Sequence, residues 1–205
     1  MRVAVIGVGN IGSALASSLT DAGHDVVVAA SNAEKAQQAA AGLECEPAPS
    51  PREAADGADA VVLAIPFPAT EEVAGEIRDE VAGKPVIDVT NSQAVVETGT
   101  SNAEAIQGWL PEAHVVKAFN TVFASQLSKA RDERAVDGRT LDGFIAGDDA
   151  EAKATVETIV RDAGLEPLDI GGLRMARALE GMAWTNISLN MAKGWPWTSA
   201  WKLVR

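Results

Sequence analysis

The chain has 205 residues, of which 17 are Lys or Arg and 29 are Asp or Glu, so its formal net charge is −12. This balance argues against a nucleic-acid partner, because clustered cations hold a phosphate backbone. The single cysteine, Cys45, excludes an intrachain disulfide, and with only two histidines we expect no metal site. There is no tyrosine, so no phenol can act as a general acid.

The N-terminal apolar run ends at Gly7. It is too short for the core of a signal peptide or for a membrane span. A lone cysteine also suits a reducing compartment. We therefore expect a cytoplasmic protein without a membrane partner.

Short runs rich in Val and Ile alternate with helical patterns, which predicts parallel strands covered on both faces. The predicted strands are Val3–Gly7, Asp25–Ala30, Ala60–Ile65, Pro85–Val89 and His114–Phe119. The predicted helices between them are Asn10–Ala22, Ala33–Ala41, Thr70–Ala82 and Asn102–Leu110. This order predicts a Rossmann-type, doubly wound α/β fold with a mostly parallel sheet.

The chain after residue 123 differs in kind, because it is nearly neutral at its end and holds most of the tryptophans. The charge-rich segment Ala124–Arg139 is predicted to be a mobile surface loop and a domain boundary. We predict a dinucleotide-binding domain over 1–123 and a small α/β extension over 124–205. The later predicted elements are a strand at Gly143–Gly147, a helix at Ala150–Ala163, a strand at Glu166–Ile170 and a helix at Leu173–Ala192.

A glycine-rich loop joins the first strand to the first helix. It reads Gly7, Val8, Gly9, Asn10, Ile11 and Gly12. In a dinucleotide site the first glycine permits the tight turn, the second admits the pyrophosphate and the third lets helix and strand pack closely. The alternative, glycines that serve only a tight turn, is disfavoured because the loop follows the first strand of a βαβ unit.

The end of the second strand indicates which dinucleotide binds. An NAD site usually places an acid there to bind the ribose hydroxyls. This chain instead has Ser31 and Asn32, with Lys35 one turn later. Two hydrogen-bonding side chains and one cation favour a 2′-phosphate, and hence NADP. Ser31 could equally serve as a helix cap, because Ser31 and Glu34 have the spacing of a capping box.

Ligand sites in open α/β sheets lie beyond the carboxyl ends of the strands. We expect Pro66 and Phe67, after Ile65, to pack against the nicotinamide. Asn91 and Asn120 are expected to orient its carboxamide or the acceptor, although each could instead cap a loop. A pocket without a general acid suits hydride transfer between two cofactors, since the protein then supplies only placement.

The histidines and the cysteine are poor catalytic candidates. His24 and His114 lie at the opposite edge of the predicted sheet, so we expect structural roles for both. Cys45 lies between Glu44 and Glu46, and these acids are expected to raise its pKa.

In these motifs the chain resembles the NADPH-dependent reductases of the deazaflavin coenzyme F420, a family that includes the cytosolic domain of the STEAP metalloreductases. The resemblance rests on the glycine loop, the pair Ile65-Pro66, the run Lys117-Ala118-Phe119-Asn120-Thr121, Gly147-Asp148-Asp149 and Pro167-Leu168-Asp169-Ile170-Gly171. It implies NADP phosphate contacts at Ser31, Asn32 and Lys35. It also implies that the deazaflavin stacks on the nicotinamide near Pro66, Asn120 and Thr121.

Two departures from the family pattern matter. Asn32 stands where these reductases typically carry Arg, so selectivity for NADP is expected to be softer. The chain ends in a tryptophan-rich tail, Trp195 to Trp201, instead of a glycine-rich one. This tail could line an acceptor pocket, form a dimer interface or be ordinary core.

Three functions follow as hypotheses. The first is an NADPH-dependent oxidoreductase whose acceptor is coenzyme F420 or another flavin-like cofactor such as FMN, in a homodimer. The second is a reductase of a small imine or 3-hydroxy acid, but those enzymes have a long helical second domain. The third is a non-catalytic NADP-binding sensor, since fold does not fix function.

Overall fold

A sheet of eight strands runs through the computed structural model, which describes residues 1–91 and 98–204. Its strands are β1 Arg2–Ile6, β2 Asp25–Ala29, β3 Glu46–Pro47, β4 Ala60–Leu63, β5 Pro85–Asp88, β6 His114–Lys117, β9 Asp142–Gly147 and β10 Glu166–Asp169. They lie in the order β10-β9-β6-β5-β4-β1-β2-β3. Neighbours are parallel except β6 and β9, which pair antiparallel. A separate hairpin is formed by β7 Ala135–Val136 and β8 Arg139–Thr140.

Helices cover both faces of this sheet. They are α1 Asn10–Asp21, α2 Ala33–Leu43, α3 Pro51–Ala55, α4 Thr70–Ile77, α5 Asn102–Trp109, α6 Ala124–Leu127, α7 Ala150–Asp162 and α8 Ala176–Lys193. In β1 the alternate residues Val3 and Val5 belong to one apolar cluster, whereas Ala4 and Ile6 belong to another. The strands are therefore buried on both sides, as their uninterrupted apolar runs predict.

The predicted Rossmann-type α/β fold is confirmed, and the five apolar runs each form a strand of the sheet. Two predicted helix boundaries are wrong by three residues or more. α4 ends at Ile77 instead of Ala82, and α8 begins at Ala176 instead of Leu173, because a 3-10 turn occupies Leu173–Met175. None of the helices in the described ranges is long and apolar enough to cross a membrane.

The segment Ala124–Arg139 is not the simple loop predicted from its charges. It holds α6, a 3-10 turn and β7, and Leu127 and Arg134 within it are buried. The Arg134 guanidinium donates to Ser18 Oγ at 2.8 Å and to the carbonyl of Lys129, which gives its N–H groups acceptors inside the fold. Burial lowers the pKa of Arg134. The following β9 and β10 extend the main sheet, and the division at residue 123 stays a prediction.

Candidate functional site

The glycine loop leaves β1 and enters α1 through two glycines that the backbone requires. Gly7 has φ +108, and a Cβ there would fall 2.3 Å from Ala64 O. A Cβ on Gly12 would fall 1.8 Å from Gly7 O. Gly7 N also donates to Ala29 O at 2.8 Å, which fixes the turn against β2.

Gly9 lies in different surroundings. A Cβ on it would meet nothing within 4 Å, and its φ is an ordinary −72. Gly9 is the N-cap of α1, so no side chain caps the N–H groups of the first turn, and that turn contains no acidic residue. The start of a helix presents free N–H groups and a partial positive charge. The exposed loop at Val8, Gly9 and Asn10 is therefore suited to a phosphate.

Ser31, Asn32 and Lys35 lie together where β2 leads into α2. Asn32 is the N-cap of α2, and its Oδ1 accepts from Lys35 N at 2.9 Å. The alternative in which Ser31 caps the helix through a capping box with Glu34 is thus wrong, because Asn32 occupies the N-cap position. Ser31 Oγ accepts from Lys35 Nζ at 3.1 Å. This bond leaves an exposed ammonium and hydroxyl side by side.

The residues after β4 lie beside the glycine loop. Ile65 Cγ2 would be 2.8 Å from a Cβ on Gly7, so Ile65 packs on the turn itself. Pro66 opens a 3-10 turn that begins at Phe67. The Phe67 ring is stacked on Trp109, with centroids 5.7 Å apart.

A cavity of about 380 Å³ opens at the carboxyl ends of β5 and β6, and we call it the strand-end cavity. It brings together Asn10 and Ile11 of the glycine loop with Asn91, Asn120 and Thr121. The predicted residues Ile65, Pro66 and Phe67 are not in its wall. The other residues that line it are Val89, Phe119, Val122, Phe123, Ala124, Ser125, Ala183, Asn186, Ile187 and Trp197.

Two asparagines are locked together in this wall. Asn91 Nδ2 donates to Asn120 O, and Asn120 Nδ2 donates to Asn91 Oδ1, both at 3.0 Å. Asn120 Nδ2 also donates to Leu179 O at 2.9 Å. Asn120 Oδ1 and Thr121 Oγ1 are buried without a hydrogen-bond partner in the described part of the chain. Unsatisfied groups are costly in a native fold, and these two lie in the wall of a cavity, where a ligand can satisfy them.

The backbone is strained at the same point. Phe119, which precedes Asn120, has φ 61, a region that a bulky residue rarely adopts. Such strain costs on the order of 1–3 kcal/mol and persists where the surroundings impose it. Here Asn120 N donates to Ala118 O at 2.8 Å and Val122 N donates to Phe119 O at 3.0 Å, which hold the turn.

The tryptophan-rich tail forms one side of the cavity, a role that the sequence left open. Trp197 lines it and meets Phe123 edge-to-face, with centroids 5.5 Å apart. Ser125 Oγ donates to Trp197 O at 2.5 Å, and Trp197 N donates to Asn190 Oδ1 at 3.2 Å. The structure thus selects one of the roles that the sequence left open for the tail. Sequence reasoning missed the α8 residues of the wall, which are Ala183, Asn186 and Ile187.

None of the described residues that line the strand-end cavity is titratable. Two of the cations near the C-terminus, Lys202 and Arg177, are paired with carboxylates elsewhere. Lys202 binds Asp142 and Glu166, and Arg177 binds Glu104, whose pKa it lowers to about 2. Across residues 1–91 and 98–204, no group of three or more His, Cys, Asp or Glu is arranged to hold a metal.

The other titratable candidates lie away from this cavity. His24 is largely buried, and its Nε2 lies 3.0 Å from Asp162 Oδ2. Burial raises the pKa of Cys45. The predicted direction for Cys45 is therefore confirmed, but its cause is burial instead of the flanking glutamates.

Comparison with known proteins places these features in a family. Residues 2–92 match the model of the family described as "NADP oxidoreductase coenzyme F420-dependent". The F420-dependent NADP reductase of Methanothermobacter thermautotrophicus is 32% identical over 214 aligned residues, which cover 93% of this chain and 90% of that protein. The rat metalloreductase STEAP3 is 31% identical over 187 residues, and the match covers 88% of this chain but only 36% of STEAP3.

A solved structure supports the same relationship. The crystal structure assigned as an F420-dependent NADP reductase from Arthrobacter sp. FB24 superposes with a TM-score of 0.86. It is 28% identical and covers 100% of both chains. The chain therefore belongs to the family of coenzyme F420-dependent NADP oxidoreductases.

Proposed function

We propose that the protein transfers hydride from NADPH to a flat, flavin-like ring cofactor, with coenzyme F420 as the preferred acceptor. The observation that carries the proposal is the strand-end cavity, which adjoins the glycine loop. Its described lining residues present amide, hydroxyl and apolar groups, and none of them is titratable. Alcohol or ketone chemistry needs a proton donor at the reacting oxygen. Hydride transfer between two rings needs chiefly close placement, at about 3–3.5 Å.

The cavity suits a ring by size and by surface. Its volume of about 380 Å³ lies within the usual range of about 300–1,000 Å³ for small-molecule sites. Phe123 and Trp197 give it aromatic faces. Asn120 Oδ1 and Thr121 Oγ1, both lacking partners among the described residues, can bind the polar edge of a ring or of the nicotinamide carboxamide.

The NADPH itself is proposed to lie along the glycine loop. Gly9 leaves space for the pyrophosphate, and the start of α1 supplies N–H groups. Ser31, Asn32 and Lys35 are proposed to bind the 2′-phosphate, with Pro66 and Phe67 near the nicotinamide. When bound, NADPH supplies the hydride, and the proton that accompanies reduction of the acceptor comes from water.

A substrate panel tests the proposal. Purified protein and NADPH are mixed separately with coenzyme F420, FMN, a ferric chelate, a cyclic imine and a 3-oxo acid, which is the oxidised partner of a 3-hydroxy acid, and the nicotinamide absorbance is followed. We expect turnover with the ring cofactors and the highest kcat/KM with coenzyme F420. Turnover with only the imine or only the 3-oxo acid would contradict the proposal. Tight NADPH binding without oxidation by any acceptor would favour a sensor.

The homodimer and the cytoplasmic location stay predictions. Several large apolar side chains at the end of α8 and in the tail are exposed, among them Leu189, Met191 and Trp195. Exposed apolar groups of this kind are typical of a surface that a second copy covers. Light scattering of the purified protein is expected to give twice the chain mass, and the mass of a single chain would contradict the predicted homodimer.

A further inference from the structure

Three ionisable side chains are packed together inside the fold, next to the strand-end cavity. Asp88 ends β5, Lys117 ends β6 and Glu180 lies in the second turn of α8, and each is at most 1% exposed. Lys117 Nζ donates to Asp88 Oδ2 and to Glu180 Oε1, both at 2.8 Å. Its third bond goes to Thr90 O at 2.6 Å. One ammonium thus joins three elements with all its donors used.

The same three elements carry the asparagine pair of the cavity wall. β5 leads to Asn91, and β6 leads to Asn120. Leu179, the neighbour of Glu180 on α8, accepts from Asn120 Nδ2 at 2.9 Å. A shift of any of these elements at Lys117 therefore moves one partner of the Asn91–Asn120 pair.

The helix α5 closes the network from the other side. Asn102 N donates to Glu180 Oε1 and Asn102 Nδ2 donates to Thr90 Oγ1, both at 2.8 Å. Thr90 N in turn donates to Asp88 Oδ1 at 2.8 Å. The backbone that leads to Asn91 is therefore held by side chains at both Thr90 and Asp88.

The charges of the network leave one carboxyl in excess. Burial raises the pKa of Glu180, against the opposite pull of Lys117, and the like charge of Asp88 raises it further. Glu180 Oε2 is buried without a hydrogen-bond partner in the described part of the chain, which disfavours a charged oxygen there. A neutral Glu180 leaves Lys117 and Asp88 as a balanced pair.

We propose that Lys117 is a positioning residue, which holds Asn91 and Asn120 at the separation that the acceptor ring requires by tying Asp88 to Glu180. The inference rests on the proposed function for its acceptor. The effect of Lys117 on the positions of Asn91 and Asn120 involves only side chains of this protein. Lys117 touches neither cofactor and acts through the two asparagines.

A charge-balanced double variant, Lys117→Met with Asp88→Asn, tests the proposal. Lys117→Met alone leaves Asp88 charged and unpaired in the core, which is strongly destabilising and can prevent folding. The double variant leaves no buried charge when Glu180 is neutral, so it is expected to fold. Lys153→Met is the matched control, because Lys153 also binds a carboxylate, Asp169, at 2.8 Å.

Two measurements separate positioning from general loosening of the fold. In the double variant we expect the KM for coenzyme F420 to rise at least tenfold while the Kd of NADPH stays within twofold. We also expect the assigned side-chain amide resonances of Asn91 and Asn120 to shift and broaden in NMR spectra of the ligand-free protein. The Lys153→Met variant is expected to change neither quantity.

An unchanged pair of amide resonances in the folded double variant would overturn the proposal. A loss of NADPH affinity equal to the change in KM would also overturn it, since the role would then be structural only. If the unaltered protein does not reduce coenzyme F420, the proposed function fails. The NMR spectra still decide whether Lys117 positions the asparagines.

Discussion

Gly9 and Gly12 offer a matched pair of substitutions that separates cofactor binding from folding. Both lie in the same loop, and both change by one methyl group when replaced by Ala. The methyl of Gly9→Ala meets nothing within 4 Å, whereas that of Gly12→Ala lies 1.8 Å from Gly7 O. If the space at Gly9 is kept for a pyrophosphate, the two variants fail in different ways.

The magnitudes follow from the surroundings. Gly9 already has a backbone conformation that Ala adopts, so Gly9→Ala gains about 0.4–1 kcal/mol from the unfolded state. It loses a similar amount because Ala is a poorer N-cap. The net change in the free energy of unfolding is then about zero. Gly12→Ala forces backbone apart and is expected to cost at least about 3 kcal/mol, which lowers Tm by about 6–12 °C in a chain of this size.

Thermal unfolding and NADPH titration by fluorescence are the assays. Gly9→Ala is expected to keep its Tm within about 2 °C and to weaken NADPH binding at least tenfold, or about 1.4 kcal/mol. Gly12→Ala is expected to lose Tm in the absence of cofactor. Unchanged NADPH affinity in Gly9→Ala would refute the assignment of this space to the pyrophosphate.

Three further predictions concern selectivity, the acceptor and pH. Ser31→Asp places a carboxylate where the 2′-phosphate is proposed to bind, so the ratio of kcat/KM for NADPH over NADH should fall at least tenfold; an unchanged ratio would contradict the NADP assignment. Asn120→Ala should lower coenzyme F420 turnover at least tenfold with a normal Kd for NADPH, and full turnover would show that the acceptor lies elsewhere. Burial raises the pKa of Glu180 above the ordinary 4.5, so its stabilising contribution is complete at low pH and is lost as the pH rises through the folded value. Glu180→Gln keeps the acceptor oxygen for Lys117 and should remove that loss in urea titrations at a series of pH values above 4.5. An unaltered pH slope in this variant would mean that Glu180 is ionised.

Most of the fold was predictable because its signals are local. Apolar runs such as Ala60–Leu63 indicate that both faces of a strand are buried, and the position of the glycine loop identifies β1 and α1.

Which side chain caps a helix is harder to predict than where the helix lies. Ser31 and Asn32 are both good caps, and only the path of the backbone decided that Asn32 caps α2.

The cavity wall was harder to predict because it joins residues distant in sequence. Asn91 and Asn120 could be found at strand ends, but the contribution of Trp197 depends on how the tail folds back over α8. The sequence carries one signal of the network at Lys117 that the sequence analysis did not use. A lysine at the end of the apolar run His114–Lys117 is buried and must have acidic partners, yet its partner on α8 cannot be read from spacing.

Direct hydride transfer between NADPH and a ring held in the strand-end cavity can be followed with an isotope. NADPH that carries deuterium at C4 of the nicotinamide is incubated with the protein and coenzyme F420 in ordinary water. If hydride passes directly from NADPH to the ring, mass spectrometry will find deuterium in the reduced coenzyme F420 when one of the two faces of the nicotinamide is labelled, and not when the other is. Reduced coenzyme F420 without deuterium from either labelled NADPH, or no reduction at all, would contradict direct hydride transfer.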